Sequence, residues 1–194
     1  MIEQTNSHWL KLEWAVTDFI VECPPLLLRP IAPSDFATLC NLYTNAQIQQ
    51  FIAPALTLAA ATQRCAAMQA ANAKPSADKY YLTIAEKVTQ SVIGIFAVFH
   101  LNASTASCEI GLMLVKTAQG RGIARHALVA MLQHLQQHFG IAKIHSLIHQ
   151  QNLPTIRLAR QCHMQLIKCE GDFLHYVLAE PIAAWRMSDS LCLN

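Results

Sequence analysis

The residues best arranged for chemistry are the hexapeptide Gln119-Gly120-Arg121-Gly122-Ile123-Ala124. A tight glycine turn of this kind leaves consecutive backbone N–H groups unpaired and aimed at one spot. A helix that opens directly after it adds the positive end of its dipole, and Arg121 and Arg125 add formal charge. The chemistry that follows is anion binding, and the expected ligand carries phosphate. Two histidine pairs invite a different reading: His134 with His138, and His145 with His149. Neither has a carboxylate or cysteine at ligand spacing, so no metal is expected.

The elements that must hold the turn are legible on both sides of it. Cys108 to Val115 is an apolar run bounded by polar residues, which reads as a strand. After the turn, Ala127, Leu128, Met131, Leu132, Leu135 and Phe139 recur at helical spacing, with Gly140 as the C-cap. The stretch therefore specifies strand, glycine turn, helix.

The rest of the chain reads as one domain over residues 26–180, with an N-terminal extension at 1–25 and a loose tail at 181–194. In the extension, Trp9, Leu12, Val16, Phe19 and Ile20 fit a helix face, and Cys23-Pro24-Pro25 stops any regular element. That segment packs on the domain or on a second copy of the chain, so a homodimer stays open. Leu26 to Ile31 is a strand, and Pro33-Ser34-Asp35 opens a helix carrying Phe36, Leu39, Leu42 and Tyr43. Thr57 caps an alanine-rich helix to about Ala73. Tyr80–Glu86, Val92–Leu101 and the Cys108 strand form a meander. Lys143–His149 is a strand, Asn152 caps a short helix with Pro154 in its first turn, and Met164–Cys169 with Phe173–Leu178 closes as a hairpin. The order predicts an α+β fold with a mostly antiparallel sheet and one parallel crossover around the central helix.

Composition removes several function classes. With 194 residues, a net charge of +2 and 13% charged residues, the chain lacks the clustered basic excess of a nucleic-acid binder. The seven cysteines are scattered and form no Cys-x-x-Cys pair, which suits a reducing cytoplasm better than a disulfide framework. No apolar run approaches membrane-spanning length, so no membrane partner is expected. A Walker loop would need Gly-Lys-Ser/Thr after Gly122, and a dinucleotide fold would need the glycines beside the first strand. Neither condition is met.

The hexapeptide resembles the Q/R-x-x-G-x-G/A motif of the GCN5-related N-acetyltransferases (GNAT). The surroundings are most similar to the subgroup that acetylates ribosomal-protein N-termini, of the RimJ/RimL type. Glu109-Ile110-Gly111-Leu112-Met113-Leu114 is like that subgroup's strand. Asn152, Thr155, Arg157 and Leu158 match its Asn-x-x-Ser/Thr-x-Arg-Leu/Val pattern, and Leu28-Arg29-Pro30 with Asp35 resembles its opening. Several motifs in the right order weigh more than any single glycine turn.

The resemblance implies the GNAT fold, with a splayed cleft for acetyl-CoA beside the strand–turn–helix. It implies that Gln119, Gly120, Arg121, Gly122, Ile123 and Ala124 hold the pyrophosphate. Met113, Leu114 and Val115 would offer backbone groups to the pantetheine arm, and Asn152 would contact it from across the cleft. It also implies an acetyl transfer to a primary amine, on a protein N-terminus or a small molecule, by direct attack. Glu109 is the expected base, since relatives carry a carboxylate on this strand. Many relatives use a tyrosine acid where this chain has Ala159; the ribosomal-type subgroup places a serine where Thr155 stands, which implies that Thr155 protonates or binds the thiolate, with Tyr176 as a distant substitute. Two further departures are His126 at a frequent glutamate position and His163-Met164 where Gly-Phe or Gly-Met is usual. The missing tyrosine and the His163 departure keep a second reading open, a non-catalytic acyl-CoA-binding or regulatory domain. The acceptor cleft is expected among loops 45–57, 74–79 and 170–173.

Overall fold

A computed structural model describes residues 14–75 and 77–182. The expectations for Trp9, Leu12 and residues 183–194, Cys192 among them, fall outside these. One sheet runs through the whole fold, in the order β1-β2-β3-β4-β5-β6-β8-β7. Its strands are β1 Val21–Cys23, β2 Leu26–Pro30, β3 Tyr80–Glu86, β4 Val92–Asn102, β5 Ser107–Leu114, β6 Lys143–His149, β7 Gln165–Glu170 and β8 Phe173–Leu178. Only β5 and β6 pair in parallel; the other neighbours are antiparallel, as the element order predicts.

Helices cover both faces. On one side α4 (Ile123–Phe139) and α5 (Leu153–Gln161) lie over Leu82, Ile84, Phe96, Val98, Ile110 and Ile144. On the other, α1 (Phe36–Thr44) and α3 (Leu58–Asn72) bury Leu39, Cys40, Leu42, Cys65 and Met68 against Tyr81, Ile95 and Ala97. Being covered twice explains why β3 and the first half of β4 read as continuous apolar runs instead of alternating ones.

The caps behave as their residue types dictate. The Thr57 hydroxyl accepts the Ala60 N–H at 3.2 Å and starts α3. Gly140 adopts a left-handed conformation, φ 63°, and the Ile141 N–H returns to the Leu135 carbonyl at 3.1 Å, which ends α4. His163 takes φ 56° after α5, so a non-glycine accepts the turn that relatives make with glycine.

Two elements differ from the sequence expectations. The segment before Leu26 continues the sheet: a short 3-10 turn, Val16–Phe19, leads into β1, which pairs with β2. Phe19 is fully buried, stacked on Tyr80 and Phe139 with centroids 4.2 and 4.3 Å away. A strand of three residues ending at Cys23 is too short for its alternation to be read. A one-turn helix, α2 (Ala46–Gln49), stands in the first predicted acceptor loop, capped by the Asn45 side chain. The buried Gln49 amide fixes it, donating to the Leu42 carbonyl at 3.0 Å.

The opening motif is a folding device. Arg29 grips Asp35 with two guanidinium bonds of 2.7 and 2.9 Å, and Asp35 also accepts from the Thr83 hydroxyl and the Ala32 N–H. Burial pushes the Asp35 carboxyl up, but the donors from Arg29, Ala32 and Thr83 outweigh it and hold the group below its ordinary value. The pair joins β2, β3 and the start of α1.

Candidate active site

The site begins where two parallel strands part. β5 and β6 pair only from Ser107 opposite Lys143 to Glu109 opposite His145. Beyond that point Ile110–Leu114 and Ser146–His149 diverge, opening a V with Glu109 and His145 at its apex. Five residues of extended chain separate apex from mouth, roughly 17 Å. The glycine turn stands at the mouth on the β5 side, and Asn152, capping α5, stands there on the β6 side.

Which backbone groups face the gap follows from strand alternation. The Val115 N–H is held by the Ile93 carbonyl at 2.9 Å, and its own carbonyl accepts from Ala118 at 2.9 Å. Met113, opposite Ile95, therefore turns its N–H and C=O toward β4 as well. Leu112 and Leu114 turn theirs into the gap. This corrects the sequence expectation: of Met113, Leu114 and Val115, only Leu114 offers backbone to a ligand between the strands, and Leu112 joins it. The alternation could have given this, had the partner of Val115 been known. The Leu114 carbonyl accepts the Gln119 side-chain amide at 3.0 Å, so Gln119 ties the turn to the strand.

The turn has the geometry its glycines predict. Gly120 and Gly122 both lie in the left-handed region, at φ 72° and 73°. The Gln119 N–H still finds the Lys116 carbonyl, and the His126 N–H finds the Gly122 carbonyl. Between them, the N–H groups of Gly120, Arg121, Gly122, Ile123 and Ala124 have no backbone acceptor among the described residues. Gly94, which sequence reasoning missed, brings β4 close to this end of β5. A Cβ there would meet the Met113 carbonyl oxygen at 2.4 Å and a Leu114 methyl at 2.6 Å.

The other candidate side chains are less concentrated. Glu109 is one-quarter exposed at the apex, its Oε2 3.4 Å from His100 Nδ1. Thr155 is half-buried in the first turn of α5, its N–H on the Asn152 Oδ1 at 3.3 Å. No bond from its hydroxyl to its own helix exists among the described residues. Tyr176 is 1% exposed, and its hydroxyl has no partner among the described residues, so it lies in the core and not in the cleft. His126 reaches the Cys23 carbonyl at 3.0 Å, pinning α4 to the β1–β2 hairpin, and it lines a cavity of about 370 Å³ with Arg121, Gly122 and Ile123 of the turn. His134 bonds the Asp18 carbonyl at 2.7 Å; burial lowers its pKa.

On the face shared by Glu109 and Met113, a cleft of about 450 Å³ opens at the mouth. It joins residues 50–55 with His149 and Phe173, so two of the three predicted acceptor loops converge. The third, residues 74–79, lies elsewhere. The Leu101 N–H on the Asp78 carbonyl puts it at the opposite end of the sheet. Among the described residues no three His, Cys, Asp or Glu side chains gather to hold a metal. None of the helices described is long and apolar enough to cross a membrane.

Residues 25–165 match the sequence model of the acetyltransferase (GNAT) domain, a span that includes the turn, Glu109, Asn152 and Thr155. The chain belongs to the GNAT acetyltransferase family. No protein of curated function matches the sequence. Among solved structures, this GNAT is similar to RimL, a ribosomal L7/L12 alpha-N-protein acetyltransferase. The two share 18% identity and a TM-score of 0.72, over 83% of this chain and 94% of that one. It is also similar to a Vibrio cholerae protein described as a putative ribosomal-protein-serine acetyltransferase, at 19% identity and TM-score 0.68, over 85% and 99%. The spermidine N-acetyltransferase of Vibrio cholerae, solved with CoA and spermine, matches at 16% identity and TM-score 0.68, over 79% and 95%. At such identities the likeness is one of fold.

Proposed function

We propose that this GNAT moves the acetyl group of acetyl-CoA to a primary amine by direct attack. The observation that carries the reading is the parted β5–β6 pair with the glycine turn at its mouth. The cosubstrate supplies an activated acyl group, and the residues present suit it chemically. The N–H groups of Gly120 to Ala124, with Arg121, complement a pyrophosphate. The backbone groups of Leu112 and Leu114 complement the amides of a pantetheine arm laid along β5, as a strand partner would. An N–H of that edge serves as oxyanion donor. Asn152 spends its Oδ1 on the α5 cap and keeps its amide nitrogen for the arm.

Glu109 receives the proton that the attacking ammonium must lose, directly or through water, since it stands at the apex and not against the mouth. Thr155 donates to the departing thiolate. Ala159 is buried and offers no proton, so the tyrosine of many relatives has no counterpart at that position. The acceptor approaches from the Phe51–Phe173 side. RimL acts on a protein N-terminus and the Vibrio cholerae enzyme on spermidine, and both acceptor classes are primary amines.

Calorimetric titration with CoA tests the binding half of the proposal. Gly122→Val should abolish binding, because a β-branched side chain is strained at φ 73° and the turn would have to change its backbone path. Wild-type affinity in that variant would contradict the assignment of the turn. A chain that binds CoA but releases no thiol with any amine would be the acyl-CoA-binding domain of the rival reading.

A further inference from the structure

Two side chains of α2 reach across the mouth of the V to the end of β5. Gln49 is 2% exposed, and its amide nitrogen has two N–H groups for two acceptors, the Leu42 carbonyl at 3.0 Å and the Met113 sulfur at 3.3 Å. Gln47, on the exposed side of the same turn, accepts from Lys116 Nζ at 2.6 Å. Met113 and Lys116 bracket Leu114, whose backbone faces the gap and whose carbonyl holds Gln119 of the glycine turn. These ties span 64 and 69 residues of chain, and both end where the cofactor arm is proposed to lie.

The lining of the cleft hangs from the same short helix. The Gln49 carbonyl accepts the N–H groups of Ile52 and Ala53 at 2.8 and 3.1 Å, and the Leu56 N–H returns to the Tyr43 carbonyl at 2.9 Å. Residues 50–55, which line the cleft, are strung between those anchors. Little else holds them. A helix of four residues is unstable alone, Ile52 is 53% exposed, and Ala53-Pro54-Ala55 are exposed as well. Such a segment belongs to the part of a fold that opens most readily.

We infer that Gln49, with Gln47, is a positioning residue that couples the two halves of the site. A cofactor arm laid along β5 holds Met113 and Lys116 in place and, through them, orders residues 46–56 around the cleft. With α2 docked, Gln49 pins the Met113 side chain on the acceptor face beside the gap, where it walls the sulfur end of the arm. With α2 released that wall is missing, which gives the cofactor its preference for the docked state. Coupling is reciprocal, so the ordered segment also tightens CoA binding by the same factor. The coupling rests on the acetyltransferase reading, because it needs a CoA thioester in the gap.

The test is amide hydrogen exchange of the full chain with and without saturating CoA, read in peptides spanning residues 46–56, beside calorimetric titration with CoA. In the wild type CoA should slow exchange there at least about fivefold. Gln49→Leu should remove most of that slowing and weaken CoA binding by the factor removed. It also leaves the Leu42 carbonyl without its donor and destabilises the fold, so an exposed pair of variants serves as control. Gln47→Ala should reduce the slowing, whereas Gln47→Glu, which keeps an acceptor for Lys116, should retain it. Equal exchange with and without CoA, when calorimetry shows CoA bound, would overturn the coupling alone. So would wild-type slowing in both Gln49→Leu and Gln47→Ala. No CoA binding by the wild type would overturn the acetyltransferase reading and the coupling with it.

Discussion

At the residue scale, the fold and the chemistry depend on a few carboxylates in contrasting settings. Glu109 is partly open to solvent at the strand apex, with one histidine near it. If it takes the ammonium proton, Glu109→Gln should lower kcat by about 10² while CoA affinity stays within a factor of two. A steady-state assay paired with titration separates the two, and an unchanged kcat would remove Glu109 from the mechanism. Asp35 is 2% exposed and serves structure alone. Asp35→Asn leaves Arg29 without its counter-charge and should cost about 3 kcal/mol, read from urea unfolding. Because the Asp35 pKa is lowered on folding, its stabilisation is complete above the ordinary aspartate range. It is lost as pH falls through the folded value. The wild type should therefore lose stability on acidification below that range, and Asp35→Asn should lose less over the same interval. Both residues could be picked out in the sequence, since each falls in a quoted motif. Their partners, Thr83 and His100, lie on strands whose pairing only the fold reveals.

At the scale of elements, legibility followed the strength of local signals. Thr57, Gly140 and Asn152 announced their helix ends because capping is local chemistry. α2 and β1 went unseen because four and three residues carry no period. β5 is legible as a strand, but its orientation is not. Which of Met113, Leu114 and Val115 faces the gap depends on the bond from Val115 to Ile93, a contact between strands. Gly94 belongs to the same class. A methyl there must displace the Met113 carbonyl, so Gly94→Ala should destabilise the fold by about 1–3 kcal/mol. It should also weaken CoA binding, since the displaced strand is the one that lines the gap. A thermal midpoint and CoA affinity both equal to the wild type would show that β4 and β5 have slack.

At the scale of the whole molecule, the donor side is local in sequence and the acceptor side is not. The turn, β5 and α4 occupy one continuous stretch, so the proposed anion and CoA site is local in the sequence. The proposed acceptor cleft joins Phe51, His149 and Phe173 from three distant segments, and nothing in the chain order announces their meeting. The N-terminal segment teaches the same lesson. Phe19 belongs to a segment expected to pack on the domain or on a second copy, and it is a fully buried member of the core, stacked on Tyr80 and Phe139. The central claim concerns the whole arrangement: acetyl-CoA in the gap, an amine from the other face, and a thiol released. The direct test is free thiol measured over time with acetyl-CoA and peptide or small-molecule amines, alongside mass analysis of the amine. The account predicts stoichiometric thiol and an amine heavier by one acetyl group. Tight acetyl-CoA binding with no thiol above the amine-free rate, across the whole set, would contradict it.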